Sequence, residues 1–208
     1  MDAVVLGAVN KKSADILADN LAKYNVLNAK GMKSVVFTAN GNWTVPAGVT
    51  SVLVTAIAGG GGGGGCNLSS AGVWGGTGGV TSFGTLLSLI GGIGGQCKNI
   101  NAGSGGASGT IPTVKLPLSV EMRAGEAEGY GGAGLSIYGK GGTGGTDGSG
   151  SQFGGGGASG MFVKSFPFIV TPTQVIPITV GYGGTGGTGA WVGNAGGAGV
   201  VLINYEQP

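Results

Sequence analysis

Two kinds of hydrophobic patterning divide the chain. Between residues 13 and 31 the apolar positions recur at helical spacing. Leu17, Leu21 and Tyr24 fall at i, i+4 and i+7, with Ile16 beside them, which makes one apolar stripe. Ser13 suits an N-cap, Asp15 and Asp19 lie near the positive helix end, and Gly31 supplies a stop. The pattern predicts a short N-terminal helix. At about 15 residues such a helix is marginal alone in water. Its stripe must pack on the rest of the chain, on copies of itself or on another protein. From residue 34 the period changes to two. "SVVFTANGNWTV" alternates around Asn40-Gly41 and predicts a β-hairpin. "VPAG" then puts Pro46 and Gly48 at the second and fourth positions of a type I turn. In "VTSVLVTAIA", Val52, Val54 and Ala56 face one way and Leu53, Thr55 and Ile57 the other. Neither face is charged, which predicts a strand covered on both sides. "GVVLINYE" closes the pattern as a further strand.

A third pattern follows neither period. All but four of the 52 glycines (Gly7, Gly31, Gly41 and Gly48) lie between residues 59 and 199. They open with seven in a row, "TAIAGGGGGGGC". Beyond them "GGTGGV" (75–80), "GGIGGQ" (91–96) and "GGTGGT" (141–146 and 183–188) repeat every three residues. Three residues per turn is the geometry of the polyproline-II helix, which glycine also adopts. Glycine at two of three positions lets backbones approach closely, while the third residue lines an edge. The alternative is mobile loops between strands. Ordering each glycine costs about 0.5–1 kcal/mol more than ordering alanine, so an ordered zone needs dense backbone hydrogen bonding. Collagen is excluded, because there is no continuous G-X-Y register and only seven prolines. A second regularity is a duplication. "PTVKLPLSV" (112–120) and "PTQVIPITV" (172–180) match at an offset of 60, each preceded by "GGASG". Their prolines predict edge strands or bulges.

Composition narrows the chemistry. Only 18 of 208 residues are charged and mean hydropathy is positive, which argues against disorder despite the glycine. A net charge of +2, with Lys11, Lys12, Lys23, Lys30 and Lys33 gathered at the start, gives no basic face for nucleic acid. There is no histidine, so the commonest zinc ligand and general base is missing. "GLSIYGKG" (134–141) imitates a phosphate loop, yet Gly141 stands where a magnesium-binding hydroxyl belongs and no helix pattern follows. Glu126 and Glu128 are the nearest carboxylate pair and read as solvated turn charges. No metal, cofactor or catalytic group is expected. Cys66 and Cys97 leave two readings open, a pair or two thiols. The N-terminus has an acid at position 2 and no signal-peptide pattern, and no segment reaches the length of a membrane span. The expectation is a protein assembled in the cytoplasm without membrane insertion. Trp74, Tyr130, Tyr138, Phe153, Tyr182 and Trp191 all sit inside glycine-rich tracts. With few large neighbours to hide them, they are the candidate recognition residues. Phe83, in "TSFGTLL", reads as core.

The run "NWTVPAGVTSVLVTAIAGGGGGGG", the "TSFG" motif, the two Pro-Thr strands and "GGAGVVLINY" together resemble the glycine-rich domains of tailed-bacteriophage tail-fibre and receptor-binding adhesin proteins. The resemblance covers residues 34–205. It departs from the family pattern at Thr173, where glycine is frequent, and at Pro177 within a strand. The combined expectation has two parts. Residues 1–33 are an attachment and oligomerisation segment whose helix docks through Ile16, Leu17, Leu21 and Tyr24. Residues 34–208 are an all-β, jelly-roll-like β-sandwich with glycine-rich loops or polyglycine-II-like segments. The resemblance implies a non-enzymatic virion tail protein, trimeric as fibres are. Its implied partners are other tail proteins and a host-surface glycan or outer-membrane protein. A structural virion component without a receptor is the alternative.

Overall fold

The computed structural model describes residues 31–67, 73–96, 121–123, 138–146 and 154–207. The expected N-terminal helix with Ile16, Leu17, Leu21 and Tyr24 lies outside these residues, as do the first copy of the duplication, Cys97, Tyr130 and Phe153. The described elements are all strands: β1 (Met32–Phe37), β2 (Gly41–Thr44), β3 (Ser51–Ile57), β4 (Thr81–Phe83), β5 (Leu87–Leu89), β6 (Glu121–Arg123), β7 (Phe162–Ile169), β8 (Val175–Thr179) and β9 (Val200–Glu206). They form two antiparallel sheets, β1-β9-β3-β7-β6 and β2-β8-β4-β5.

The predicted hairpin at Asn40-Gly41 does not form. A two-residue turn of that type needs positive φ at both central residues, and neither Asn40 nor Gly41 has it. The chain crosses between sheets instead. Phe37 pairs with Val201 in one, and Gly41 pairs with Ile178 in the other. Asn40 turns its side chain to use, its Oδ1 accepting from the Val180 N–H at 2.8 Å. The next turn is also shifted from expectation. Val49 N–H bonds Pro46 O and Gly48 has φ 81°, so glycine takes the third position, where a type II turn requires it.

Both sheets close on one core. Val52, Val54, Ala56, Val163, Val201 and Ile203 come from the first, and Trp43, Phe83, Leu89, Ile176 and Ile178 from the second. Aromatic rings bridge the two layers: Trp43 lies 5.7 Å from Tyr205, and Phe83, fully buried as expected, lies 5.6 Å from Phe168. Strand β3 is buried at Val52, Val54 and Ala56 but only half-buried at Leu53, Thr55 and Ile57. One face, not both, is fully covered.

Strand β8 corrects the proline reading. It lies between β2 and β4, not at an edge. Pro177 is tolerated because its missing donor faces the end of β4. There the partner strand turns away at Gly84 (φ 52°), which still donates to Pro177 O at 2.8 Å. A bulge does occur in β7. Val54 opposes Phe166 and Ala56 opposes Val163, so two residues face Thr55, whose hydroxyl accepts the displaced Ser165 N–H at 3.0 Å.

The turn into β8 carries strain. Gln174 N–H bonds Thr171 O, Pro172 takes the second position, and Thr173 has φ 67°. A β-branched residue in the left-handed region is an outlier, at a cost of roughly 1–2 kcal/mol. Thr173 is exposed and its N–H to Val45 O bond is retained by any residue. After allowing for glycine's freedom in the unfolded chain, Thr173→Gly should stabilise by about 0.5–1 kcal/mol, raising Tm by about 1–4 °C. Thermal unfolding checks this, and a lower Tm would mean the side chain makes a contact worth more than its strain.

Six of the strands continue directly into glycine tracts. Strand β3 runs into residues 59–65, and the other five join tracts that surround it. Every N–H from Gly59 to Gly65 donates outward at 2.8–3.0 Å. The acceptors step by three. Gly59, Gly62 and Gly65 reach residues 79, 76 and 73; Gly60 and Gly63 reach 197 and 194; Gly61 and Gly64 reach 158 and 155. The carbonyls of Gly59 to Gly64 accept in the same rhythm, from Gly92 and Gly95, Gly142 and Gly145, and Gly184 and Gly187. Six tracts therefore enclose the central one. The ring is closed by further bonds in the order 73–79, 90–96, 154–160, 139–145, 191–199 and 181–187, returning to the first. Tracts that accept from the centre run against it and tracts that donate to it run with it, so directions alternate around the ring.

Glycine is required here by proximity. Of the described glycines in the ring and its centre, only Gly139 (φ 65°) has a left-handed φ. A Cβ on any residue from Gly59 to Gly65 would instead sit under 3.0 Å from a neighbouring backbone carbonyl. Those carbonyls belong in turn to Tyr182, Lys140, Ile93, Thr185, Thr143, Gln96 and Thr188.

Candidate functional site

The ring dictates where side chains go. In the repeat "GGxGGx" the glycine positions are buried or half-buried and the third position is more open. Gly91, Gly92, Gly94 and Gly95 are buried while Ile93 is open; Gly141, Gly142 and Gly145 are buried while Thr143 and Thr146 are open. Five of the six tracts thus present a row of side chains: Trp74, Thr77 and Val80; Ile90, Ile93 and Gln96; Tyr182, Thr185 and Thr188; Lys140, Thr143 and Thr146; Val192, Ala195 and Ala198, while tract 154–160 is buried apart from half-buried Ser159. At about 3.1 Å per residue, members of a row stand roughly 9 Å apart.

The molecule has two ends. The chain enters at Met32, which pairs with Glu206 and lines a shallow groove of about 310 Å³ with Val49 and Thr50. From there β3 rises toward the bundle, and the central tract carries it on to Cys66. Seven strand residues at about 3.3 Å and seven glycines at about 3.1 Å put the far end roughly 45 Å away. At that end Cys66 and Trp191 exchange backbone bonds of 2.9 and 3.1 Å, Asn67 Oδ1 accepts from Ala190 N–H at 2.6 Å, and Val73 N–H reaches Thr188 O at 2.9 Å. Cys66 is fully buried, and its thiol donates to Gly145 O at 3.4 Å.

The expected recognition residues separate along this axis. Trp74 is 59% exposed and Trp191 half-buried, both at the far end. Tyr182 is 70% exposed and Tyr138 half-buried, both at the end next to the sheets, where Gly79 N–H meets Tyr182 O and Gly139 N–H meets Ala198 O. Trp74 and Tyr182 occupy neighbouring tracts but are about five residues apart in level, roughly 15 Å. They are not one cluster. Next to each tryptophan in the chain stands an exposed aliphatic residue that aromatic counting passed over, Val73 and Val192, 55% and 62% exposed. The described residues of this end (66, 67, 73, 74 and 188–192) include no charged side chain. The signal that finds such residues is position in the triplet and distance from the strands, not residue type. The arrangement offers aromatic and aliphatic surface beside amides and hydroxyls on a backbone lattice that cannot easily deform. No described feature supplies an activated nucleophile, and among the described residues no three metal-ligating side chains gather. Comparison with protein-family models and with curated protein sequences finds no match to this chain.

Proposed function

We propose that the chain is a virion fibre-tip protein of a tailed bacteriophage that attaches the particle to its host. In this reading the two sheets are a jelly-roll-like sandwich, and the glycine tracts are a polyglycine-II bundle built on its end. The observation that carries it is polarity. The chain enters at Met32, at one end of the sheets, and the exposed aromatic surface around Trp74 and Trp191 stands at the opposite end of the bundle. Residues 1–33, with the stripe Ile16, Leu17, Leu21 and Tyr24, would dock to other tail proteins and gather copies, as a trimer. The far end is then free to meet a surface glycan or an outer-membrane protein. Several copies on one particle turn weak contacts into firm attachment.

A central aromatic contact is worth about 2 kcal/mol or more when truncated to alanine. Trp74→Ala should therefore weaken binding of the purified protein to susceptible cells by about tenfold or more. Tyr182→Ala, at the wrong end, should change it less than about threefold. Equal binding by wild type, Trp74→Ala and Trp191→Ala would remove the far end as the contact surface. A wild-type protein that neither binds cells nor blocks infection would instead be a structural virion component.

A further inference from the structure

We propose a second ligand site on the flank of the bundle, at Lys140, Thr143 and Asn194, that takes an acidic monosaccharide unit. Lys140 is the one charged residue in the described tracts, and no carboxylate accompanies it there. Beside it lies a groove of about 340 Å³ between tracts 139–145 and 191–199. The groove exists because the second tract carries small residues. Ala195, Gly196 and Gly197 form its floor, where other rows present Trp74 or Ile93.

The polar groups around it are held in place. Asn194 has both backbone groups committed to the lattice. Its N–H goes to Thr143 O at 2.8 Å, and its carbonyl accepts from Gly63 N–H at 2.9 Å. Its side-chain Nδ2 donates to Thr143 Oγ1 at 2.6 Å. The hydroxyl that accepts this bond points its own O–H elsewhere, and Asn194 retains an acceptor oxygen and a second amide hydrogen. Lys140 is anchored at its carbonyl by Gly197 N–H at 2.7 Å, with its side chain exposed. Lys140, Thr143 and Asn194 thus bring a cation, a hydroxyl donor and an amide that both donates and accepts to a groove otherwise lined by small residues. A carboxylate or phosphate answers the ammonium, and ring hydroxyls answer the amide and hydroxyl. A neutral sugar leaves Lys140 without a counter-charge, and a bare anion leaves Asn194 and the floor unused. The groove is separate from the far end, so its failure leaves the Trp74 and Trp191 contacts standing, and theirs leaves it standing.

The test is amide NMR of the full chain titrated with galacturonate, glucose 6-phosphate, galactose and inorganic phosphate. The proposal expects saturable shifts at Thr143 and Asn194 through Gly197 with the two acidic sugars, weakened by salt. It expects Lys140→Ala to reduce affinity about tenfold or more and Lys140→Arg to hold it within about threefold. Lys140 is exposed, so Lys140→Ala should keep the wild-type spectrum elsewhere. Shifts as large with galactose would remove the role of Lys140. The same shifts with inorganic phosphate alone would reduce the site to a simple anion contact. No saturable shift with any probe would overturn the site.

Discussion

Gly62→Ala should destabilise the protein by about 4 kcal/mol and lower its Tm by about 8–16 °C. The added methyl is directed at Thr185 O, Thr185 C and Gly184 O, all of them backbone atoms. A side chain in that position could rotate aside. These atoms cannot, because Gly184 N–H is tied to Gly60 O at 2.8 Å, Gly187 N–H to Gly63 O at 2.7 Å, and Thr185 O itself accepts from Gly76 N–H at 2.7 Å. Relief requires moving tract 181–187 outward, which lengthens its bonds to the centre and to 73–79 together. The loss therefore exceeds the usual price of one surplus methylene, and it draws on a net stability of only about 5–15 kcal/mol. Thr185→Ala is the contrast. It alters the same level of the bundle on its exposed side, and should change stability by no more than about 0.5 kcal/mol. Chemical denaturation of the two variants beside wild type measures the difference. Equal, small losses would mean the tracts are not packed as described.

How far the sequence disclosed this arrangement depends on what carried each signal. Alternation in "SVLVTAIA" and "VVLINY" marked β3 and β9, because side chains that alternate between core and surface leave a period of two. The period of three in "GGTGGT" marked the tracts in the same way, since one residue in three is turned outward and the others are confined. The ring order left no such trace. Bonds between glycine backbones involve no side chain, so nothing in the residue types says that 154–160 lies between 90–96 and 139–145. Asn40-Gly41 misled for a related reason. The dipeptide permits a hairpin, but Phe37 gains more by pairing with β9 and Gly41 by pairing with β8. Pro177 misled because an internal strand can host proline where its neighbour ends, and the end of β4 at Gly84 is a property of the folded sheet. Thr173, where the resembling family often has glycine, was the more informative departure, since its φ of 67° is a glycine-like conformation.

The candidate site was legible by residue type and not by place. Trp74 and Trp191 were recognisable as aromatics inside glycine-rich tracts, and so were Tyr138 and Tyr182. Only the direction of the central tract separates the first pair from the second. Asn194 gave no signal at all, because its role depends on a tract 51 residues away that shares a hydrogen bond with it.

Amide hydrogen exchange across residues 59–65 is the most direct measurement of the central claim. An ordinary run of seven glycines exchanges at nearly the rate of an unfolded peptide. Here those seven N–H groups are bonded in rotation to three surrounding tracts, and all seven glycines are buried. Exposing one means opening the ring, and the ring is continuous with strands β3, β4, β5, β7, β8 and β9. Its opening should therefore cost nearly as much as unfolding the sheets. With at least about 5 kcal/mol of stability, exchange should slow by a thousandfold or more, to the same degree as Val54 and Ile203 in the sheet core. Protection that steps evenly across Gly59 to Gly65 and matches the strands is the predicted result. Fast exchange across the run, with protection confined to the strands, would contradict the account and return the seven glycines to a flexible loop.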